Sequence, residues 1–195
     1  RRAVVVRSAA DGAELRASMD PKCVLAGTAG EGKHTVAFMF AGGGAQYAGM
    51  GADLYAGEPV FRAEGDACLA LLRPHLAADL KALMYAAPSD AERATVELER
   101  PSLALPALFI TQYALAKQYM AWGIAPAAMI GHSMGEYTAA TLAGVFSLAD
   151  AIALVALRGR LFETLPRGGM LSVPLSADEL RPLLGGELSL AGINA

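Results

Sequence analysis

The chain has 195 residues, 54% hydrophobic and 18% charged, which is enough for one folded core and too apolar for a disordered chain. Sixteen Lys and Arg against nineteen Asp and Glu leave a net charge of −3, with no basic excess to neutralise a phosphate backbone, so no nucleic-acid partner is expected. Mean hydropathy is +0.37, yet no stretch approaches the ~18 uninterrupted apolar residues of a membrane span.

In chain order, residues 1–33 read as a short strand at 4–6, a weak helix near 10–17, and a glycine-punctuated connection over 27–32. The first residue is Arg1 and the last residues are an apolar run, so the chain reads as a piece of a longer polypeptide. Cys23 and Cys68 match no zinc or redox spacing and are expected as buried, inert thiols, which suits a reducing cytoplasm. Residues 35–40 form a continuous apolar strand, the pattern of a parallel strand covered on both faces. The run Gly42-Gly43-Gly44 follows it, then helices over 59–73, 76–86 and 89–98, the last starting at Ser89 and Asp90. A long apolar helix spans 103–123, with Pro106 near its first turn, where proline is tolerated. A second buried strand at 127–131 leads directly into a helix that ends near 143. Ser147 opens a capping-box helix over 148–165. Strands at 170–173 and 188–193 flank a short helix at 177–184. Strands alternating with helices define an α/β fold.

Two glycine clusters mimic nucleotide sites and fail on context. The stretch from Gly27 to His34 nearly spells a phosphate-binding loop, but His34 stands where a hydroxyl must follow Lys33, and a strand follows instead of a helix. Gly42-Gly43-Gly44 is no dinucleotide fingerprint, because Tyr47 occupies the sixth position. Those glycines let backbone approach a ligand closely, or merely make a turn.

The strongest motif is Gly131-His132-Ser133-Met134-Gly135, of the form G-x-S-x-G between a buried strand and a helix. A sharp strand-to-helix turn strains the serine backbone and exposes its Oγ beside the positive end of the helix. Arg158 is the second candidate. Its neighbours on the helix, Leu154, Val155, Leu161 and Phe162, are apolar, so its charge must find an anion. Periodicity leaves two readings open: an ion pair with a residue such as Glu136, or a clamp for a substrate carboxylate. Arg160, beside Glu163 and Thr164, reads as solvated. A serine nucleophile needs a base, and His34, His75 and His132 each lack a claim to that role.

Four segments occur in order: Gly42 to Gly51 with Gln46, Pro106 to Phe109, Gly131 to Tyr137, and Arg158-Gly159-Arg160. Together they resemble the acyltransferase domain of modular type I polyketide synthases, relatives of malonyl-CoA:acyl-carrier-protein transacylases. The resemblance implies an α/β-hydrolase-like core, with a mainly parallel sheet flanked by helices, over residues 34–195. It makes residues 1–33 the end of a linker from an adjacent ketosynthase domain. It implies Ser133 as the acyl-carrying nucleophile, the amides of Gln46 and Met134 as oxyanion hole, Arg158 as carboxylate clamp, and His132 as a pocket-lining residue. It implies ping-pong transfer from malonyl-CoA to the phosphopantetheine thiol of an acyl carrier protein, with no metal and no permanently bound cofactor.

The family's histidine base lies in a ferredoxin-like subdomain downstream of an Asn-Ala-Pro segment, whose asparagine Asn194 matches; the chain resembles the half before it. Gly43 and Leu105 stand where the family commonly has glutamine. Met134 and Pro106 to Phe109 resemble members that select malonyl groups. The competing readings are a serine hydrolase or thioesterase, which shares G-x-S-x-G, and a catalytically incomplete structural piece of a megasynthase.

Overall fold

The computed structural model of the protein describes residues 2–4, 6, 10–12, 24–28, 34–166 and 168–193. Cys23, Lys33 and Asn194, and most of the helix expected near 10–17, lie outside them. Strands β1 (Arg2–Val4) and β2 (Val24–Ala26) pair antiparallel. The strand that positions the candidate site is β3 (Ala37–Phe40), paired in parallel with β4 (Ala128–Gly131) in the register Ala37↔Ala128 to Phe40↔Gly131. Between them run α1 (Ala52–Gly57), α2 (Pro59–Leu72), α3 (Leu80–Met84), α4 (Ala91–Glu97) and α5 (Pro101–Ala121). After β4 come α6 (Gly135–Leu142), α7 (Leu148–Glu163) and α8 (Ala177–Leu180).

Helix α5 is the axis of the core. Residues 102–110 are buried without interruption, as expected of a helix apolar on all sides. It packs against α2, α7 and α6. Phe61, Phe109, Ile110, Ile152 and Val155 are fully or almost fully buried in these contacts, and each contributes roughly 1.5–3 kcal/mol by leaving water. Pro101 occupies the first turn of α5, so Pro106 lies in the second turn, two residues deeper than expected. There its missing N–H leaves the Ser102 carbonyl without its helical partner.

Cys68 is buried in the same core, where burial and the nearby Glu64 push its thiol up to about 12. That matches the expected inert thiol. Ser147 caps α7 by accepting from the Asp150 amide at 3.1 Å.

Two expectations fail. Among the described residues the β3–β4 sheet is covered on one face, not two: Phe38, Phe40 and Met129 turn to the helices, while Met39 (81%) and Ile130 (58%) are exposed. The helices in contact with it, α5 and α6, all lie on the Phe40 side. Segments 170–173 and 188–193 form no strand; both are irregular, with Met170 92% and Leu188 65% exposed. A strand needs a neighbour to complete its hydrogen-bond ladder, and among the described residues neither segment has one.

The end of α7 is locked to the start of α5. Glu163 Oε1 accepts from the Ser102 hydroxyl at 2.6 Å and its amide at 3.2 Å, and Glu163 Oε2 accepts from Arg100 at 3.4 Å. The Ser102 hydroxyl, more than the Arg100 charge, holds the Glu163 carboxyl below its usual 4.5. A depressed carboxyl stabilises the fold above its unfolded value and loses that contribution as pH falls through the folded one. Lowering pH from 4.5 is therefore expected to destabilise the protein, and Glu163→Gln to flatten this dependence. Urea midpoints of both proteins across an acid series of about pH 3–6 check it; parallel acid dependences would refute it.

Candidate active site

The parallel register sets the site. Phe40 lies opposite Gly131, so the glycine run after β3 and the serine turn after β4 leave the same sheet end side by side. The His132 amide continues the ladder by donating to the Phe40 carbonyl at 2.9 Å. Ser133 follows with φ 51°, the left-handed region, and is the one non-glycine residue with positive φ among the described residues. Such a backbone costs roughly 1–2 kcal/mol for an L-residue. The turn is closed by short-range bonds from the Gly135 amide to the His132 carbonyl (2.9 Å) and from the Glu136 amide to the Ser133 carbonyl (3.2 Å). His132 and Ser133 are both exposed, so the serine stands free at the mouth of α6.

The flanking glycines have steric causes. A Cβ on Gly131 would collide with the backbone of Gly135 and Glu136. One on Gly135 would meet the Phe40 carbonyl oxygen and come within 2.8 Å of the Phe40 Cβ. Gly135→Ala is therefore expected to cost about 2–3 kcal/mol, the upper part of the overpacking range, because rigid backbone must yield. A urea midpoint equal to the parent's would contradict this.

Gly42 belongs to the same contact. A Cβ there would lie 2.7 Å from His132 Nδ1 and 3.3 Å from Ser133 Cβ, so only glycine lets the first loop lean on the serine turn. Gly44 has φ 102°, which a side chain rarely allows. The Gln46 side chain folds back to accept from the Gly44 amide at 2.9 Å. The amides of Gln46 and of Met134, which caps α6, donate to no acceptor among the described residues. The Met134 side chain is buried in the core.

Sequence reading missed the residues that hold this loop. Gln112 on α5 donates to the Ala41 carbonyl at 2.9 Å and accepts from Thr138 on α6 at 3.4 Å, coupling loop and serine helix. The signal was present: Gln112 is a polar residue within an apolar run. The Ala48 and Gly49 amides anchor the far end, on Thr95 at 3.3 Å and the Met84 carbonyl at 2.7 Å. Leu105 packs beneath Gly43.

Arg158 does not form the ion pair that the sequence allowed. Glu136 accepts from the Gly131 amide at 3.1 Å and makes no ion pair with Arg158. The guanidinium donates instead to the Tyr137 hydroxyl at 3.0 Å. It lies in an open apolar cleft of about 480 Å³ with Leu154, Leu157, Leu161 and Phe162. Gly159 sets its helix: a Cβ there would lie 2.6 Å from the Pro101 carbonyl, so glycine lets α7 close on α5. Arg160 points elsewhere, to the His75 carbonyl at 2.8 Å.

No hydrogen bond joins His75 or His132 to Ser133 among the described residues, and His34 precedes β3, at the opposite end of the strand pair from the serine turn. Among the described residues no cluster of His, Cys, Asp or Glu could hold a metal, and no helix is long and apolar enough to cross a membrane.

Comparison with known proteins matches residues 37–195 to the family described as acyl transferase domain. A phenolphthiocerol/phthiocerol polyketide synthase of Mycobacterium tuberculosis is 43% identical over 159 residues, covering 82% of this chain and 10% of that protein. The chain thus spans about a tenth of that relative. The solved acyl transferase domain of ZmaA superposes with a TM-score of 0.81 at 43% identity, over 94% of this chain and 42% of that one. A malonyl-transacylase in complex with its type II polyketide synthase acyl-carrier protein gives 0.57 at 36%, over 69% and 41%.

Proposed function

This chain belongs to the acyl transferase domain family, and from that premise we propose that it loads malonyl groups from CoA onto an acyl carrier protein through an ester on Ser133. The observation that carries the reading is the Ser133 turn, a strained serine between two sterically required glycines, abutting a second glycine loop.

In the proposed reaction Ser133 Oγ attacks the thioester carbonyl and loses its proton to a base. The C–S bond breaks and CoA leaves as the thiol after taking a proton. The phosphopantetheine thiol of the carrier then gives its proton to the base and attacks the serine ester, and Ser133 takes that proton as the C–O bond breaks. The oxyanion of both steps lies against the amides of Gln46 and Met134, at the positive end of α6. Arg158 holds the free malonyl carboxylate, and His132 lines the pocket. His34, His75 and His132 are not the base; the family resemblance assigns it to the ferredoxin-like subdomain. Residues 34–195 are the hydrolase-like part of the domain, residues 1–33 the end of a ketosynthase linker, and the reaction is cytoplasmic, where a free Cys68 stays reduced. The complex of a related transacylase with its carrier supports the choice of acceptor.

The test is the intact mass of the protein after malonyl-CoA, followed by addition of a holo carrier protein. A malonyl adduct that passes to the carrier supports acyl transfer. Release of free malonate instead would assign a hydrolase.

A further inference from the structure

Among the described residues, the partners of Arg158 are all uncharged. Its Nη1 donates to the Tyr137 hydroxyl at 3.0 Å, and its guanidinium carbon lies 5.4 Å from the Tyr137 ring centre and 5.0 Å from that of Phe162. The carboxylates that form ion pairs among the described residues, such as Glu163 with Arg100, are all paired with other cations. Tyr137 is in turn braced by its ring stacking on Phe146 at 6.4 Å and 18°. It sits on α6, one turn beyond Ser133, so one short helix carries both the serine turn and the group that orients the guanidinium.

An arginine aimed by a carboxylate is already neutralised and attracts an incoming anion weakly. One aimed by a phenol oxygen and two ring faces is fixed in direction while its charge stays available. We propose that Tyr137 is a positioning residue that fixes the Arg158 guanidinium for a carboxylate-bearing acyl group, and so sets the preference for malonyl over uncharged acyl thioesters. This rests on the reading of Arg158 as the carboxylate clamp.

The experiment is calorimetric titration with malonyl-CoA and with acetyl-CoA, in the Ser133→Ala background so that no turnover occurs. Tyr137→Phe keeps the ring, its stacking on Phe146 and its contact with the guanidinium, and removes the hydroxyl alone. The hydrogen bond lost is one made to a charged group, so the malonyl-over-acetyl ratio of affinities is expected to fall at least about tenfold. A merely structural role would weaken both ligands together and leave the ratio in place, which would overturn the proposal. Arg158→Ala separates the two layers. If it leaves the ratio unchanged, or the parent shows no preference, the clamp itself is wrong. If it abolishes the ratio while Tyr137→Phe does not alter it, only the role of Tyr137 falls.

Discussion

Replacing Ser133 by alanine is expected to abolish the malonyl adduct and to reduce carrier loading by ~10³-fold or more, the scale of losing a serine nucleophile. Alanine keeps the Cβ, so the left-handed backbone at φ 51° and the packing of Gly42 against that Cβ are retained. The loss would then belong to the Oγ alone. Ser133→Gly is the companion variant. It removes the same oxygen but also relieves the positive-φ strain, and should be about 1 kcal/mol more stable than Ser133→Ala. Intact mass and urea midpoints measured together check both statements. An adduct that survives in Ser133→Ala would move the ester elsewhere on the chain.

The second large effect is expected at Arg158. With no charged partner among the described residues, its removal strands no carboxylate, and Arg158→Ala should cost no more than the lost hydrogen bond to Tyr137, about 1.5–3 kcal/mol. A structural ion pair broken at a buried site would cost about 3–5 kcal/mol, so stability alone discriminates the two readings open at the sequence level. The activity change should be large and selective: roughly a 100-fold loss in acylation by malonyl-CoA, from one charge-assisted, bidentate contact, with acetyl-CoA far less affected. Arg158→Lys should recover part of the attraction and none of the fork geometry. Equal losses for both thioesters would argue that Arg158 supports the pocket rather than reading the carboxylate.

Some features were legible because they are local. The apolar strand at 35–40, the capped helix after Ser147, the long helix expected over 103–123 and the strained serine between glycines follow from propensity, capping and a motif whose steric demands are written within five residues. The terminal segments were misread for the opposite reason. An apolar run such as 188–193 carries strand propensity, but a ladder is a property of two strands, and no described neighbour pairs with it.

Spacing along one helix or one turn was enough to reveal the α/β alternation, the Ser133 turn and the candidacy of Arg158. What these residues face is a matter of long-range packing, and no local pattern encodes it. The parallel register of β3 and β4 puts Gly42 against Ser133, far away in sequence. The approach of α6 to α7 gives Arg158 a phenol in place of the carboxylate that charge counting suggested. In both cases the spacing of backbone elements chooses the partner, and glycines such as Gly135 and Gly159 set that spacing by leaving no Cβ in the way.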